Sequence, residues 1–236
     1  MRKIAVIIPA YNEEKSIGKV LREINNLETD SSFSLTAIVV NDSSSDKTLN
    51  EAKKYDGVVL NLPVNLGIGG AVQTGFIYAF NNGFDYALQL DGDGQHPPYE
   101  INKFVSFIKS NDFDVVIGSR FIHNEGFQST FFRRVGIQYF KFLIRLLCGI
   151  TITDCTSGFR IINRRVLKIV KEYYPDEYPE PEAIVLYVKH KFRIAEIPVS
   201  MKSRDAGQSS IRSFGSLYYM VKVTLAIIFT FLRKIK

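Results

Sequence analysis

The 236-residue chain has no tryptophan, three methionines and only two cysteines. Cys148 and Cys155 make neither a disulfide framework nor a zinc site, since one pair supplies at most two ligands, and a reducing cytosol is the expected compartment. No secretory signal is legible, because the apolar stretch Ile4 to Ala10 is too short and runs straight into Tyr11-Asn12-Glu13-Glu14. Long apolar runs are lacking too. Between Phe214 and Leu232, Lys222 leaves Val223 to Leu232 as the longest uninterrupted part, well below the roughly 20 residues of a membrane span. After the first apolar run stands Pro9-Ala10-Tyr11-Asn12-Glu13 instead of a dinucleotide glycine fingerprint, which disfavours a Rossmann dehydrogenase. Gly67-Ile68-Gly69-Gly70 lacks the Gly-Lys-Ser/Thr of a Walker A loop.

What is present is ordinary globular composition, 46% apolar and 23% charged, at a length that suits one α/β domain with an appendage. The net charge of +6 is unevenly spread: up to residue 130 there are 11 Lys/Arg against 16 Asp/Glu, and from 131 onward 19 against 8. A basic second half suits nucleic acid, anionic lipid or a phosphorylated ligand. Short β-branched runs at Ile4–Pro9, Leu35–Val40, Val58–Leu62, Tyr86–Leu90 and Val115–Gly118 read as buried strands. Helical stretches lie between them at Glu13–Leu27, Asp46–Lys54, Gly70–Asn81 and Tyr99–Ser110, so a mainly parallel sheet covered on both faces is expected. Ligands of such sheets bind beyond the carboxyl ends of the strands.

Those ends carry the chemistry. Backbone N–H groups of the glycine loop at the start of the Gly70 helix suit an anion, or form a tight turn. Asp91-Gly92-Asp93 places two carboxylates one residue apart after a buried strand, where a hard divalent cation keeps open positions for phosphate oxygens, and Gln95 adds a neutral oxygen.

The ordered set Pro9-Ala-Tyr-Asn-Glu13, Asn41-Asp42-x-Ser-x-Asp46-x-Thr48, Asn65-x-Gly67, Asp91-x-Asp93-x-Gln95-His-Pro-Pro98, Gly118-Ser-Arg120 and Ser157-Gly-Phe-Arg160 resembles the family 2 glycosyltransferases of the GT-A fold. The polyprenyl-phosphate branch, of the dolichol-phosphate mannose synthase type, is the nearest likeness. The resemblance covers roughly residues 3 to 212 and implies inverting transfer from a UDP-, GDP- or dTDP-sugar with Mg²⁺ or Mn²⁺ at the diphosphate. It implies that Pro9, Tyr11, Glu13, Asp42, Asn65, Gly67, Asp91 and Asp93 hold the nucleotide sugar, with Asp91, Asp93 and Gln95 at the metal. By the same resemblance Arg120, Arg134, Ser157 and Arg160 meet an acceptor phosphate, and Arg204, in Arg-x-x-Gly207-x-Ser209, closes over the donor phosphates. Three positions depart from the pattern: Asn41 stands for an aspartate, and Ile68 and Ser210 for lysines, with Arg212 near enough to compensate for the last.

Two acceptors stay open. A sugar hydroxyl on a lipid-linked or cell-surface glycan needs a carboxylate base, for which Glu182 is the candidate, although Glu180-Pro181-Glu182 also reads as a helix start; an acceptor phosphate needs no base. Residues 131–147 form a helical stretch with Arg134, Gln138, Lys141 and Arg145 on one face and apolar residues round the rest, suited to lying in a membrane interface or to a half-buried core position. Residues 213–236 read as a second interfacial or partner-binding helix with Arg233-Lys234-Ile235-Lys236 as a basic anchor. The expectation is therefore a peripheral enzyme at the cytoplasmic membrane face, acting on polyprenyl phosphate or another lipid-linked acceptor, with a small integral membrane protein as a further partner and no nucleic acid. A scaffold with a decayed site is the contrasting class, and intact Asp91, Asp93, Arg160 and Arg204 oppose it.

Overall fold

The computed structural model describes residues 1–123, 131–202 and 215–234. Seven strands form one sheet: β1 (Arg2–Ala10), β2 (Phe33–Asn41), β3 (Val58–Asn61), β4 (Tyr86–Gln89), β5 (Val115–Ser119), β6 (Arg160–Asn163) and β7 (Ile194–Pro198), in the order β3-β2-β1-β4-β6-β5-β7. All neighbours are parallel except β6, which runs antiparallel to both β4 and β5. The helices are α1 (Ile17–Asn25), α2 (Thr48–Ala52), α3 (Gly67–Asn81), α4 (Ile101–Ser110), α5 (Phe131–Cys148), α6 (Arg164–Val170), α7 (Pro179–Lys189) and α8 (Gly215–Leu232).

Strand alternation divides the core between two faces. Ile4, Val6 and Ile8 of β1 join Ile17, Leu21 and Phe104 from α1 and α4, whereas Ala5 and Ile7 join Val72 and Phe76 of α3 and Ile184 of α7. Helices α1, α2 and α4 begin later than the sequence suggests, α1 and α4 for local reasons. The Glu13 and Glu14 N–H groups donate to Thr48 Oγ1 and Asp46 Oδ2, which delays α1 to Ile17. Pro97 and Pro98 confine the next segment to a 3₁₀ turn, Pro98–Glu100, before α4.

The antiparallel strand β6 was not among the expected ones, and it shapes the site. Arg160, its first residue, pairs with Gln89, the last of β4. The Ser157–Phe159 segment therefore arrives at the carboxyl end of β4, beside Asp91. The last helix, α8, packs on α7 and α5 through buried Val223 and Ile227.

Candidate active site

At the carboxyl ends of β1 and β2 two loops are joined by side chains. Asn12 and Ser43 both take left-handed backbone, each at φ 56°. The Asn12 N–H donates to Ser44 Oγ at 3.0 Å, and the Ser45 N–H donates to Asn12 Oδ1 at 2.9 Å. Pro9 is buried in β1, whereas Tyr11 is 52% exposed, so its ring is open to a ligand. Glu13 accepts from Ser16 Oγ at 2.6 Å.

Asp42 is buried, and both of its carboxylate oxygens are engaged: Leu66 N–H donates to Oδ1 at 2.7 Å and Gly67 N–H to Oδ2 at 2.9 Å. Asn65 closes the same turn, its Nδ2 donating to the Asp42 carbonyl at 3.2 Å. The Gly69 N–H donates to the Asp176 carbonyl at 2.7 Å, so closely that a Cβ on Gly69 would lie 2.0 Å from that oxygen. Of the two readings of the glycine loop, the Leu66, Gly67 and Gly69 amides show the tight turn, with the protein's own Asp42 at the positive end of α3. Gly67 fits its φ of +76° because it has no Cβ.

At the end of β4 the two aspartates differ. The Asp91 side chain is 32% exposed, while Asp93 is buried and its Oδ1 accepts the Gln95 N–H at 2.9 Å. Gln95 Nε2 donates to the Lys202 carbonyl at 3.4 Å. Buried His96 stacks on Phe159, its Nδ1 3.5 Å from Asp91 Oδ2. Burial lowers the pKa of this imidazole against the pull of Asp91 and Asp93, which keeps it neutral near pH 7. From the other side comes Gly158, where a Cβ would lie 2.8 Å from Gln89 Nε2 and 3.4 Å from Asp91 Oδ1. Ser157 Oγ and both polar atoms of Gln89 are buried there without protein partners. Two carboxylates with an open side fit a hard divalent cation that takes its remaining ligands from phosphate and water. Among the described residues no group of three or more His, Cys, Asp or Glu encloses a metal by itself.

Of the expected acceptor-side residues, Arg120 and Arg160 both reach the 154–157 loop. Arg120 donates through Nε and Nη2 to Asp154, at 2.6 and 2.7 Å, and to Thr156 Oγ1 at 2.8 Å. Burial opposes its charge, but Asp154 outweighs that and raises its pKa. Glu196 fixes the pair by accepting the Thr153 and Asp154 N–H groups. Arg160 is wholly buried and donates to the carbonyls of Ser157 and Glu180. Both guanidinium groups hold loops in place through these bonds. Arg134 is exposed on α5. Glu182 Oε1 accepts from Tyr173 OH at 2.9 Å and Thr230 Oγ1 at 2.6 Å, so the expected base is turned toward α8. Arg204, with Gly207, Ser209, Ser210 and Arg212, lies outside the described residues.

Sequence reasoning missed His96 as the neighbour of Asp91, although it directly follows the acidic turn. It also missed Asp154 and Glu196, which no short motif joins to Arg120.

The Glycosyl transferase family 2 model matches residues 5–170. An uncharacterized protein, MJ1222, of Methanocaldococcus jannaschii is 32% identical over 93% of this chain and 91% of its own length. A UDP-N-acetylglucosamine–dolichyl-phosphate N-acetylglucosaminyltransferase of Methanococcus voltae is 32% identical over 83% of this chain and 84% of its own. A dolichyl-phosphate beta-glucosyltransferase, ALG5A, of Trichomonas vaginalis is 32% identical over 88% and 68% respectively. Among solved structures, glucosyl-3-phosphoglycerate synthase from Mycobacterium tuberculosis, in complex with Mn²⁺, UDP and phosphoglyceric acid, superimposes with a TM-score of 0.72 at 20% identity, covering 100% of this chain and 80% of that one. That likeness is one of fold, and it bears out the GT-A architecture. Since the family match runs from the first strand through the Ser157–Arg160 segment that reaches Asp91, the chain belongs to glycosyl transferase family 2.

Proposed function

We propose that this glycosyltransferase moves a sugar, with inversion, from a nucleotide donor to polyprenyl phosphate at the cytoplasmic surface of a membrane. The carrying observation is the Asp91-Gly-Asp93 turn at the end of β4, with the Ser157-Gly158 backbone packed against Asp91. Asp91 and Asp93 would hold a divalent ion there, Mg²⁺ or Mn²⁺, whose positive charge would stabilise a departing diphosphate. Gln95 borders that position. The uridine nucleotides of the named relative and structural neighbour support a UDP-sugar as the donor.

An acceptor phosphate oxygen forms the new bond to the sugar's anomeric carbon as the bond to the nucleoside diphosphate breaks, and the diphosphate leaves with the electron pair. No proton has to be removed. Glu182, turned to Tyr173 and Thr230, agrees with that chemistry better than with a hydroxyl acceptor needing a base, and two named relatives act on dolichyl phosphate. Among the described residues no helix is long and apolar enough to cross a membrane. Instead α5 exposes Val135, Tyr139, Phe142 and Leu146 opposite its buried Ile137, Phe140 and Ile144, and α8 exposes Tyr218, Val221, Leu225, Phe229 and Leu232. The two helices pack together, with Thr224 Oγ1 3.2 Å from Tyr139 OH. Arg134, Lys141 and Arg145 flank the outward stripe of α5, the arrangement of a helix pair lying in a lipid interface.

The test is UDP release from a UDP-sugar in the presence of Mn²⁺. Release that depends on polyprenyl phosphate and stops with chelator is expected; equal stimulation by the unphosphorylated polyprenol would overturn the phosphate acceptor.

A further inference from the structure

A cleft of about 510 Å³ opens between α6, α7 and the last turn of α8. It is separate from the donor site: α7 runs from Glu180, whose carbonyl meets Arg160, to Lys189 and His190 at the cleft, roughly 14 Å at 1.5 Å per residue. Lys189, Arg233 and Lys234 stand round it. The Lys189 ammonium donates to the carbonyls of Thr230 (2.9 Å), Phe231 (2.7 Å) and Arg233, which caps the carboxyl end of α8 and fixes one wall. The Arg233 guanidinium lies 4.5 Å over the Tyr173 ring, which braces it on the opposite wall. Glu172, the acidic residue of the lining, pairs with Lys171, so the cleft keeps a positive balance. The exposed apolar residues Phe229 and Leu232 lie in the same last turns of α8.

From this juxtaposition we infer that the cleft is a headgroup site for an anionic membrane lipid, taking a terminal phosphate monoester on Arg233 and Lys234 while the outward face of α8 lies on the bilayer. The inference rests on the membrane-docked reading above. Lys189 is occupied by the helix end, so the headgroup is left to the guanidinium fork and to Lys234. A monoester fits these better than a diester does: it carries nearly two charges and presents three terminal oxygens to a planar fork and a point charge. Its location would anchor the end of α8 remote from the donor site and so fix how the enzyme sits on the surface.

The test is flotation of the full chain with phosphatidylcholine vesicles containing either phosphatidic acid or phosphatidylglycerol, adjusted to equal surface charge. Wild type is expected to prefer phosphatidic acid by about 30-fold, the scale of two basic contacts near a membrane. Arg233→Ala/Lys234→Ala should bind both vesicles alike. Lys141→Ala/Arg145→Ala, which removes the same charge from α5, should weaken binding to both and keep the preference. Arg233→Lys should keep part of it, which separates lost headgroup contact from lost packing on Tyr173. Binding without preference in wild type, or equal loss of preference in the two double variants, would overturn the site. Failure to float with either vesicle would overturn the membrane reading instead. Glycerol 3-phosphate at the phosphatidic acid concentration should leave the preference intact; if the free ester abolishes it, the cleft takes any phosphate and the lipid assignment fails.

Discussion

Asp91 and Asp93 are one residue apart and have different surroundings. Asp91 opens to the ligand edge beside His96 and Gly158, whereas buried Asp93 shapes the turn by accepting the Gln95 N–H. Removing Asp93 takes away the bond that sets the turn and, on the proposed reading, a carboxylate that holds the metal at the diphosphate. Asp93→Ala is therefore expected to lower transfer by ~100-fold or more in steady-state assays, and unchanged turnover would remove the metal from the account. Glu182 gives the opposite expectation. A glutamine retains the oxygen that accepts from Tyr173 and Thr230, so Glu182→Gln should keep most of the wild-type rate. A fall of ~1000-fold would restore Glu182 as a base and make the acceptor a hydroxyl.

At the level of elements, α5 carries three stripes rather than the two that its polar spacing suggests. Ile137, Phe140 and Ile144 enter the core; Val135, Tyr139, Phe142 and Leu146 face outward; the basic residues run between. Phe142 and Phe229 are 64% and 65% exposed, so Phe142→Asp/Phe229→Asp should spare the fold. Vesicle binding of this variant should drop by about 10-fold or more, because two apolar side chains no longer insert, while donor hydrolysis in solution persists. Unchanged binding would return these faces to ordinary surface. Strands β1, β4 and β5 were legible because largely buried strands read as apolar runs, and β2 and the half-buried edge strand β3 by their β-branched valines and isoleucine. Strand β6, four residues opening with an arginine, was not, since its place is set by pairing with β4 and β5 far away in the chain. The same distance explains Arg120 and Arg160. Motif order located them in the chain, but only the fold shows that Asp154 and the Ser157 and Glu180 carbonyls take their donors.

For the whole molecule, the acidic amino half carries the ends of β1, β2 and β4, and the basic half carries α5, α8 and the outward apolar stripes. The parallel sheet puts the donor motifs at one edge, and antiparallel β6 brings Ser157 and Gly158 to the same place. On the proposed reading, a nucleotide-sugar donor and a lipid acceptor meet at that sheet edge, and α5 and α8 turn their outward apolar stripes to the membrane. The most direct test is to incubate the full chain with Mn²⁺, a panel of UDP-, GDP- and dTDP-sugars and polyprenyl phosphate, then determine the mass of the extracted lipid. The account predicts a single new lipid, heavier than polyprenyl phosphate by one sugar residue and formed from a UDP-sugar. A glycosylated product that forms only when a lipid-linked glycan replaces polyprenyl phosphate would contradict it.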